Sequence, residues 1–290
     1  MGAALLEEVI DFGRRALRDD GRGVTQTELR ERFARQGYLH VPGLLSLRLV
    51  DDLSALLSSH YERQAAWFLR ETGVRLDSPA ELKSLIDAQA DAEAWFLGRS
   101  RDIQHLIRGE FPLAVRLLGD FVRLTEEQGL VALLRTLLGT ASLRLNYPPM
   151  IRFKVPAMSQ AEVPLHQDGP YFPHITNFAT VWIPMCPITE ACGGVNILEG
   201  SHRFGPLPHE DGVLWGKRLP RERLKERCIE RHIEMLPGDV LIFGPNLVHY
   251  SHANTSDRVR CSIDSRWFGS DTATTRQYYD LDAKRVVRMF

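Results

Sequence analysis

The hydrophobic period of the chain changes near Ala141, and this change restricts the possible folds more than any other feature. Upstream, apolar residues recur at helical spacing. Thr25-Gln26-Thr27-Glu28 opens a helix over 25–37 with Leu29 and Phe33 on one face, and Gly37 stops it. Tyr38-Leu39-His40-Val41 then reads as a short strand. Ser46 caps a second amphipathic helix carrying Leu49, Leu53, Leu56 and Leu57, and further helical patterns fill 78–140, ending in Leu130, Leu133, Leu134, Leu137 and Leu138 before Gly139. Downstream, short β-like runs lie between Pro, Gly and Asn at 142–146, 150–155, 178–185, 194–198, 232–236, 239–243 and 258–268. Many short strands without alternating helices predict an antiparallel sandwich or barrel, not a parallel βαβ sheet. Leu219 to Arg231, a dense charge run of helical character, is expected as a solvated helix or loop on the rim.

No linker or repeat divides the chain. A single domain over 1–290 is therefore expected: a mostly helical part over 1–140, a β core over 141–270 and a C-terminal tail over 271–290. Lys and Arg number 36 against 37 acidic residues, a formal charge of −1, so no global field draws in nucleic acid or an anionic membrane. No apolar run approaches a bilayer span. The N-terminus turns acidic where a signal peptide needs a basic start, and Leu6 replaces the Ser or Thr of a myristoylation signal. The four cysteines, Cys186, Cys192, Cys228 and Cys261, have no Cys-x-x-Cys spacing and suit a reducing cytoplasm.

Chemistry concentrates in Pro164-Leu165-His166-Gln167-Asp168-Gly169-Pro170-Tyr171-Phe172-Pro173. On a strand, His166 and Asp168 would share a face and present an imidazole beside a carboxylate. A third ligand from elsewhere would complete a two-His, one-carboxylate facial triad with open positions on the metal. The candidates are His202, His209, His232, His249 and His252. His249 is favoured, because Pro237-Gly238-Asp239 and the apolar strand Val240-Leu241-Ile242-Phe243 lead it inward, while His252 should then face outward. Only neutral imidazole ligates, so metal affinity is expected to fall as the pH drops through the histidine range. Alternation also places Arg258, Arg260, Ser262 and Asp264 on one strand face. An Arg there would offer a planar, two-pronged cation to a carboxylate.

His166-Gln167-Asp168-x-x-Tyr171-Phe172-Pro173, Gly193-Gly194 with Glu199-Gly200-Ser201-His202, Pro237-Gly238-Asp239, and His249-x-Ser251-x-x-Asn254 followed by Arg260 together resemble the phytanoyl-CoA dioxygenase family. The resemblance runs from about Tyr38 to Phe268 and implies a double-stranded β-helix (jelly roll, cupin-like) with N-terminal helices packed on the major sheet. It implies Fe(II) held by His166, Asp168 and His249, and 2-oxoglutarate as co-substrate. Arg260 matches the cation that grips the 5-carboxylate, with Ser262 a helper and Trp182 beside the co-substrate. Gly193-Gly194 and Ser201-His202 are expected as turn and hydrogen-bonding elements. Asn196 and Glu199 depart from the family pattern.

The resemblance further implies a dioxygenase that uses O2 to hydroxylate, or otherwise oxidise, a C–H bond of a small molecule, expected to be a specialised metabolite. An acyl-CoA or amino-acid hydroxylase and a non-catalytic jelly-roll binding protein are the alternatives. Tyr171, Phe172, His174, Lys154 and Arg152 are candidate substrate contacts, the two cations being read first as surface charges. Tyr147 and Trp182 could join the pocket mouth, and Trp67, Phe68, Trp95 and Phe96 could cover it, with core packing the expected role of at least half of these aromatics.

Overall fold

The computed structural model describes residues 25–158, 161–175, 177–212, 216–224 and 228–288. The N-terminal residues weighed as a targeting signal lie outside them. The first helix, α1 (Gln26–Gln36), starts on a capping box in which the Glu28 amide donates to Thr25 Oγ1 at 3.2 Å and the Thr25 amide to Glu28 Oε2 at 2.7 Å. It ends at Gly37, whose φ of +82° a side-chain-bearing residue rarely adopts. After β1 (Tyr38–Val41), Ser46 caps α2 (Leu47–Thr72), which buries Leu49, Val50, Leu53, Leu57 and Phe68. Short helices α3 (Pro79–Asp87), α4 (Ala92–Leu97), α5 (Arg101–Ile107) and α6 (Leu113–Arg116) and a 3-10 stretch lead to α7 (Gln128–Leu138). None of the described helices is long and apolar enough to cross a membrane.

The remaining chain forms a double-stranded β-helix. Its strands are β2 (Leu143–Asn146), β3 (Met150–Lys154), β4 (Val163–His166), β5 (Phe178–Pro184), β6 (Asn196–Glu199), β7 (Glu210–Gly212), β8 (Gly216–Arg218), β9 (Ile229–His232), β10 (Val240–Phe243), β11 (His249–Ser251), β12 (Arg260–Gly269), β13 (Tyr278–Asp280) and β14 (Arg285–Val287). The major sheet runs β1-β10-β5-β12-β2-β13-β14, with β3 also on β12; the minor sheet runs β4-β11-β6-β9; β7 pairs with β8 in a separate two-stranded sheet.

Strand β12 shows how the sequence sorts its faces. Ile263 and Trp267 join α2 and α7 in the main core, with Cys261 packed against it. Arg260, Ser262, Asp264 and Arg266 alternate with them and are buried on the opposite face. Its neighbour β5 does the same, sending Val181 and Ile183 to the helices and Trp182 to the inter-sheet core.

Three expectations change. Leu219 to Arg231 holds no described α-helix: a 3-10 turn at Arg221–Arg223 precedes β9, which pairs with β6 at the sheet edge. The strand expected at 232–236 therefore ends at His232. Ile233 and Met235 are buried, but they follow the strand, and Met235 makes an isolated bridge to Ile188. The charges that mimicked a helix face solvent on this edge, where Arg231 pairs with Glu199 and Arg221 with Glu230. In the segment expected as a tail, Tyr278–Asp280 and Arg285–Val287 extend the major sheet through β13 and its partner β2.

Candidate metal centre

His166 closes β4 and stands directly opposite His249 in β11, an antiparallel Cα pair whose rings lie 4.1 Å apart. Asp168 is not on the strand. Its backbone has turned to φ −73°, ψ −29° at the start of a 3-10 turn, so the turn, not strand alternation, aims its carboxylate. That turn is anchored by Gln167, a fully buried residue that sequence reasoning passed over. Its Nε2 donates to the Gly205 and Asn246 carbonyls at 2.9 and 2.7 Å, its Oε1 accepts the Leu207 amide at 2.8 Å, and its amide donates to His209 Nε2 at 2.9 Å. Gly169 N–H donates to the Pro245 carbonyl at 2.9 Å, tying the turn to the loop that enters β11.

One nitrogen or oxygen from each of His166, Asp168 and His249 lies within 4.8 Å of the others, and all three residues are buried. The imidazoles are oriented for donation to a cation. His166 Nδ1 faces the Pro164 carbonyl at 2.8 Å and His249 Nδ1 the Leu247 carbonyl at 3.1 Å. A carbonyl only accepts, so each proton sits on Nδ1 and each Nε2 keeps a lone pair. The donor set fits a divalent first-row metal.

Behind the carboxylate, Thr180 Oγ1 donates to Asp168 Oδ2 at 2.6 Å and Arg266 Nη2 to both Asp168 oxygens at 3.0 Å. Burial alone would raise the Asp168 carboxyl, but Arg266 and the two imidazoles outweigh it and hold the group well below the usual carboxylate range. Arg266 pairs in turn with Asp264 at 3.1 Å and is itself shifted upward by the two carboxylates. It was legible, because the i, i+2 pattern from Arg260 through Ser262 and Asp264 reaches it one step later.

Burial, reinforced by His166, pushes His249 down to about 3. Competition from protons in the histidine range, expected from the sequence, is therefore not carried by this ligand. The same shift sets a stability trend. The unfolded imidazole protonates near its ordinary 6.5, whereas the folded one resists down to about 3, so stability is intact above 6.5 and drains as the pH falls through that window. Urea midpoints of metal-free protein are expected to drop from pH 7 to 4.5, and less steeply in His249→Phe. Parallel slopes would refute the assignment.

Arg260 is buried beside this cluster. Its Nη1 donates to Ser262 Oγ and its Nη2 to the Gly193 carbonyl, both at 2.7 Å, and the guanidinium lies 5.5 Å from the Trp182 ring centre. Gly193 has φ +65°, and a Cβ there would lie 2.6 Å from the His252 carbonyl. Among the described residues no carboxylate pairs with Arg260, its Nε meets no acceptor, and burial lowers it to about 10. A buried cation without a counter-ion calls for an anion. Arg260, Trp182, His249, Ser251 and Phe243 line a compartment of about 40 Å³.

The other expected residues are dispersed. Lys154 is not a surface charge: it is buried, donating to Ser251 Oγ at 2.8 Å and to the His252 carbonyl, and burial holds it well below its usual value. Arg152 is not on the surface either; it pairs with Glu110 at 2.9 Å. Tyr171 and Phe172 line a larger cavity of about 390 Å³ that opens onto His166 and Asp168. His174 is exposed and lies outside that lining. Tyr147 lines an adjoining cavity of about 310 Å³ and donates to the Leu117 carbonyl at 2.7 Å.

Phe68 and Phe96 do not cover the mouth; they are buried in the helical core, with Trp67 and Trp95 packed on it. The helical part instead contributes His105, Arg108, Glu110 and Arg116, which no periodic signal marks. Among the rejected histidines, His252 is exposed, His202 contacts the Ala34 carbonyl, His232 faces Asn196, and His209 accepts from Gln167. Ser201 Oγ accepts the Val248 amide at 2.8 Å.

The sequence model of the family described as phytanoyl-CoA dioxygenase (PhyH) matches residues 33–262. A 1-deoxypentalenic acid 11-beta-hydroxylase of Streptomyces exfoliatus is 36% identical over 129 residues, 40% of this chain and 46% of that protein. The peroxisomal phytanoyl-CoA dioxygenase of Homo sapiens is 30% identical over 115 residues, 37% of this chain and 34% of that protein. The chain thus spans less than half the length of these two relatives. Among solved structures, the epimerase SnoN in complex with Fe3+, alpha ketoglutarate and nogalamycin RO superposes with a TM-score of 0.56 at 22% identity, covering 86% of this chain and 85% of that one. EctD from S. alaskensis with 2-oxoglutarate and 5-hydroxyectoine gives 0.56 at 18% identity, covering 95% and 86%.

Proposed function

The chain belongs to the phytanoyl-CoA dioxygenase family, and from that membership we propose that it is an Fe(II)/2-oxoglutarate-dependent oxygenase that oxidises a C–H bond of a small specialised metabolite. The observation that carries the reading is the convergence of His166, Asp168 and His249 beside a buried guanidinium that lacks a counter-ion among the described residues. His166 and His249 would hold Fe(II) through Nε2, and Asp168 through its carboxylate. Arg260, braced by Ser262 and the Gly193 carbonyl, takes the distal carboxylate of 2-oxoglutarate with Trp182 alongside. Bound there, iron with 2-oxoglutarate and O2 would supply the oxidising power for a C–H bond, with succinate and CO2 as co-products.

The chain's own residues do the rest. Thr180 and Arg266 fix the Asp168 carboxylate, the two backbone carbonyls fix the imidazole tautomers, and Phe243, with its ring 4.6 Å from that of His249, keeps water from one side of the centre. The larger cavity beside His166 and Asp168 receives the substrate. A specialised metabolite is supported by the hydroxylase relative named for 1-deoxypentalenic acid. Four unpaired thiols support work in a reducing compartment such as the cytoplasm.

Purified protein given Fe(II), 2-oxoglutarate and air is expected to release succinate, and chelation or removal of O2 is expected to stop it. Succinate release no greater than in the chelated control would sink the reading.

A further inference from the structure

The larger cavity is strongly cationic. Five arginines line it (Arg108, Arg116, Arg152, Arg266 and Arg276) against two carboxylates, Glu110 and Asp168. Both carboxylates are already engaged, Glu110 by Arg152 and Asp168 by Arg266. Arg108, Arg116 and Arg276 have no ion-pair partner among the described residues. Arg116 is 9% exposed; its Nε meets no acceptor, and its Nη1 has only the Met150 sulfur, a weak acceptor, at 3.1 Å. Arg108 Nε is likewise buried without a partner, and its guanidinium lies 5.0 Å from the Phe96 ring centre. Burial pulls both groups below the usual guanidinium value, the sign of an uncompensated charge. Arg276 stands at the rim, 4.5 Å from the Phe172 ring centre, and donates to the Tyr171 carbonyl at 2.7 Å.

Leaving buried guanidiniums unpaired is costly, and an arriving anion removes the cost. That anion is not the 2-oxoglutarate of the preceding section, because Arg260 lies in the small compartment, whose lining excludes Arg108, Arg116 and Arg276. Between the cations, Met150, Val163 and Phe172 give the walls apolar surface beside the polar His105 and Tyr171, and Leu113 and Pro148 continue it in the adjoining cavity.

We infer that the substrate of this site is a compact apolar molecule bearing a carboxylate, gripped by Arg116 with Arg108 and Arg276 flanking it. The inference rests on the oxygenase reading for the claim that the bound molecule is the one oxidised, but not for binding itself. A free carboxylate is favoured over an acyl-CoA. In a thioester the acyl end is neutral, and its phosphates lie a pantetheine arm away, outside a cavity of about 390 Å³.

The test is calorimetric titration of the iron-free full chain with decanoate, decan-1-ol and decanoyl-CoA, accompanied by the C8 to C16 acids. Decanoate is expected to bind roughly tenfold or more tighter than decanol, as for a charge-assisted hydrogen bond. Arg116→Met is expected to erase that preference while leaving decanol binding unchanged. Arg276→Gln, at the solvent-facing rim, carries the test should Arg116→Met not fold, and is expected to weaken decanoate severalfold. Equal affinity for acid and alcohol, no binding by any of the acids, or decanoyl-CoA binding more tightly than decanoate would overturn the inference. Selective decanoate binding without succinate release would instead sink the oxygenase reading alone. Succinate release without acid preference would sink only the carboxylate.

Discussion

His249→Ala is expected to reduce succinate formation to the level of chelated protein and to leave the purified chain unable to retain stoichiometric iron. Removing one of three ligands from a buried centre takes away the lone pair that faces His166 and Asp168, and neither His209 nor His232 is free to replace it, being committed to Gln167 and Asn196. Asp168→Ala is expected to match it. Arg266→Met should fall between these variants and wild type, because it removes a support and not a ligand. Both Asp168 oxygens lose their guanidinium donor, while Thr180 still donates to one of them. Loss of an outer partner of this kind costs roughly 10–100-fold in metal affinity. Competitive chelator titration with Fe(II) or Co(II) orders the variants, and an Arg266→Met affinity equal to wild type would remove the supporting role.

Arg260 gives the second large effect, of a different kinetic kind. Arg260→Ala is expected to raise the KM for 2-oxoglutarate by roughly 10–100-fold, since hydrogen bonds to charged groups are each worth about 1.5–3 kcal/mol. At saturating 2-oxoglutarate kcat should stay within a few-fold of wild type, because the iron ligands are untouched. Arg260→Lys should restore only part of the loss. A single ammonium cannot donate at once to Ser262, the Gly193 carbonyl and a carboxylate in the forked geometry that the guanidinium provides. Initial rates across a 2-oxoglutarate series separate the two behaviours; an unchanged KM in Arg260→Ala would dissociate this residue from the co-substrate.

The inner face of β12 could be read in advance as far as Asp264, because polar and apolar residues alternate from Arg260 through Ser262 and Asp264 with Cys261 and Ile263 between them; Ser265 then interrupts the pattern, and Arg266 and Trp267 resume it. Capped helices such as α1 and α2 were equally open to reading, since their caps are local chemistry. Strand β9 was not: on a sheet edge its charged residues face solvent, and a solvated edge has the composition of a solvated helix. Asp168 reached the right place by a route alternation does not describe, through a turn fixed by a buried Gln167 whose partners are backbone groups far along the chain. Arg108 and Arg116 were hidden for another reason. They come from short helices whose faces are set by tertiary packing, so no period distinguishes a cavity arginine from a solvated one.

The stitching by Gln167 has a consequence for the order in which the molecule comes together. His166 and His249 meet only when β4 and β11 pair, and the Gln167 carboxamide holds the Asp168 turn only when the segments carrying Gly205, Leu207 and Asn246 are in place. A growing or partly collapsed polypeptide therefore offers scattered imidazoles but no three-sided nest for a cation. Capture of the ion is a late event, and tight retention reports that the barrel has shut.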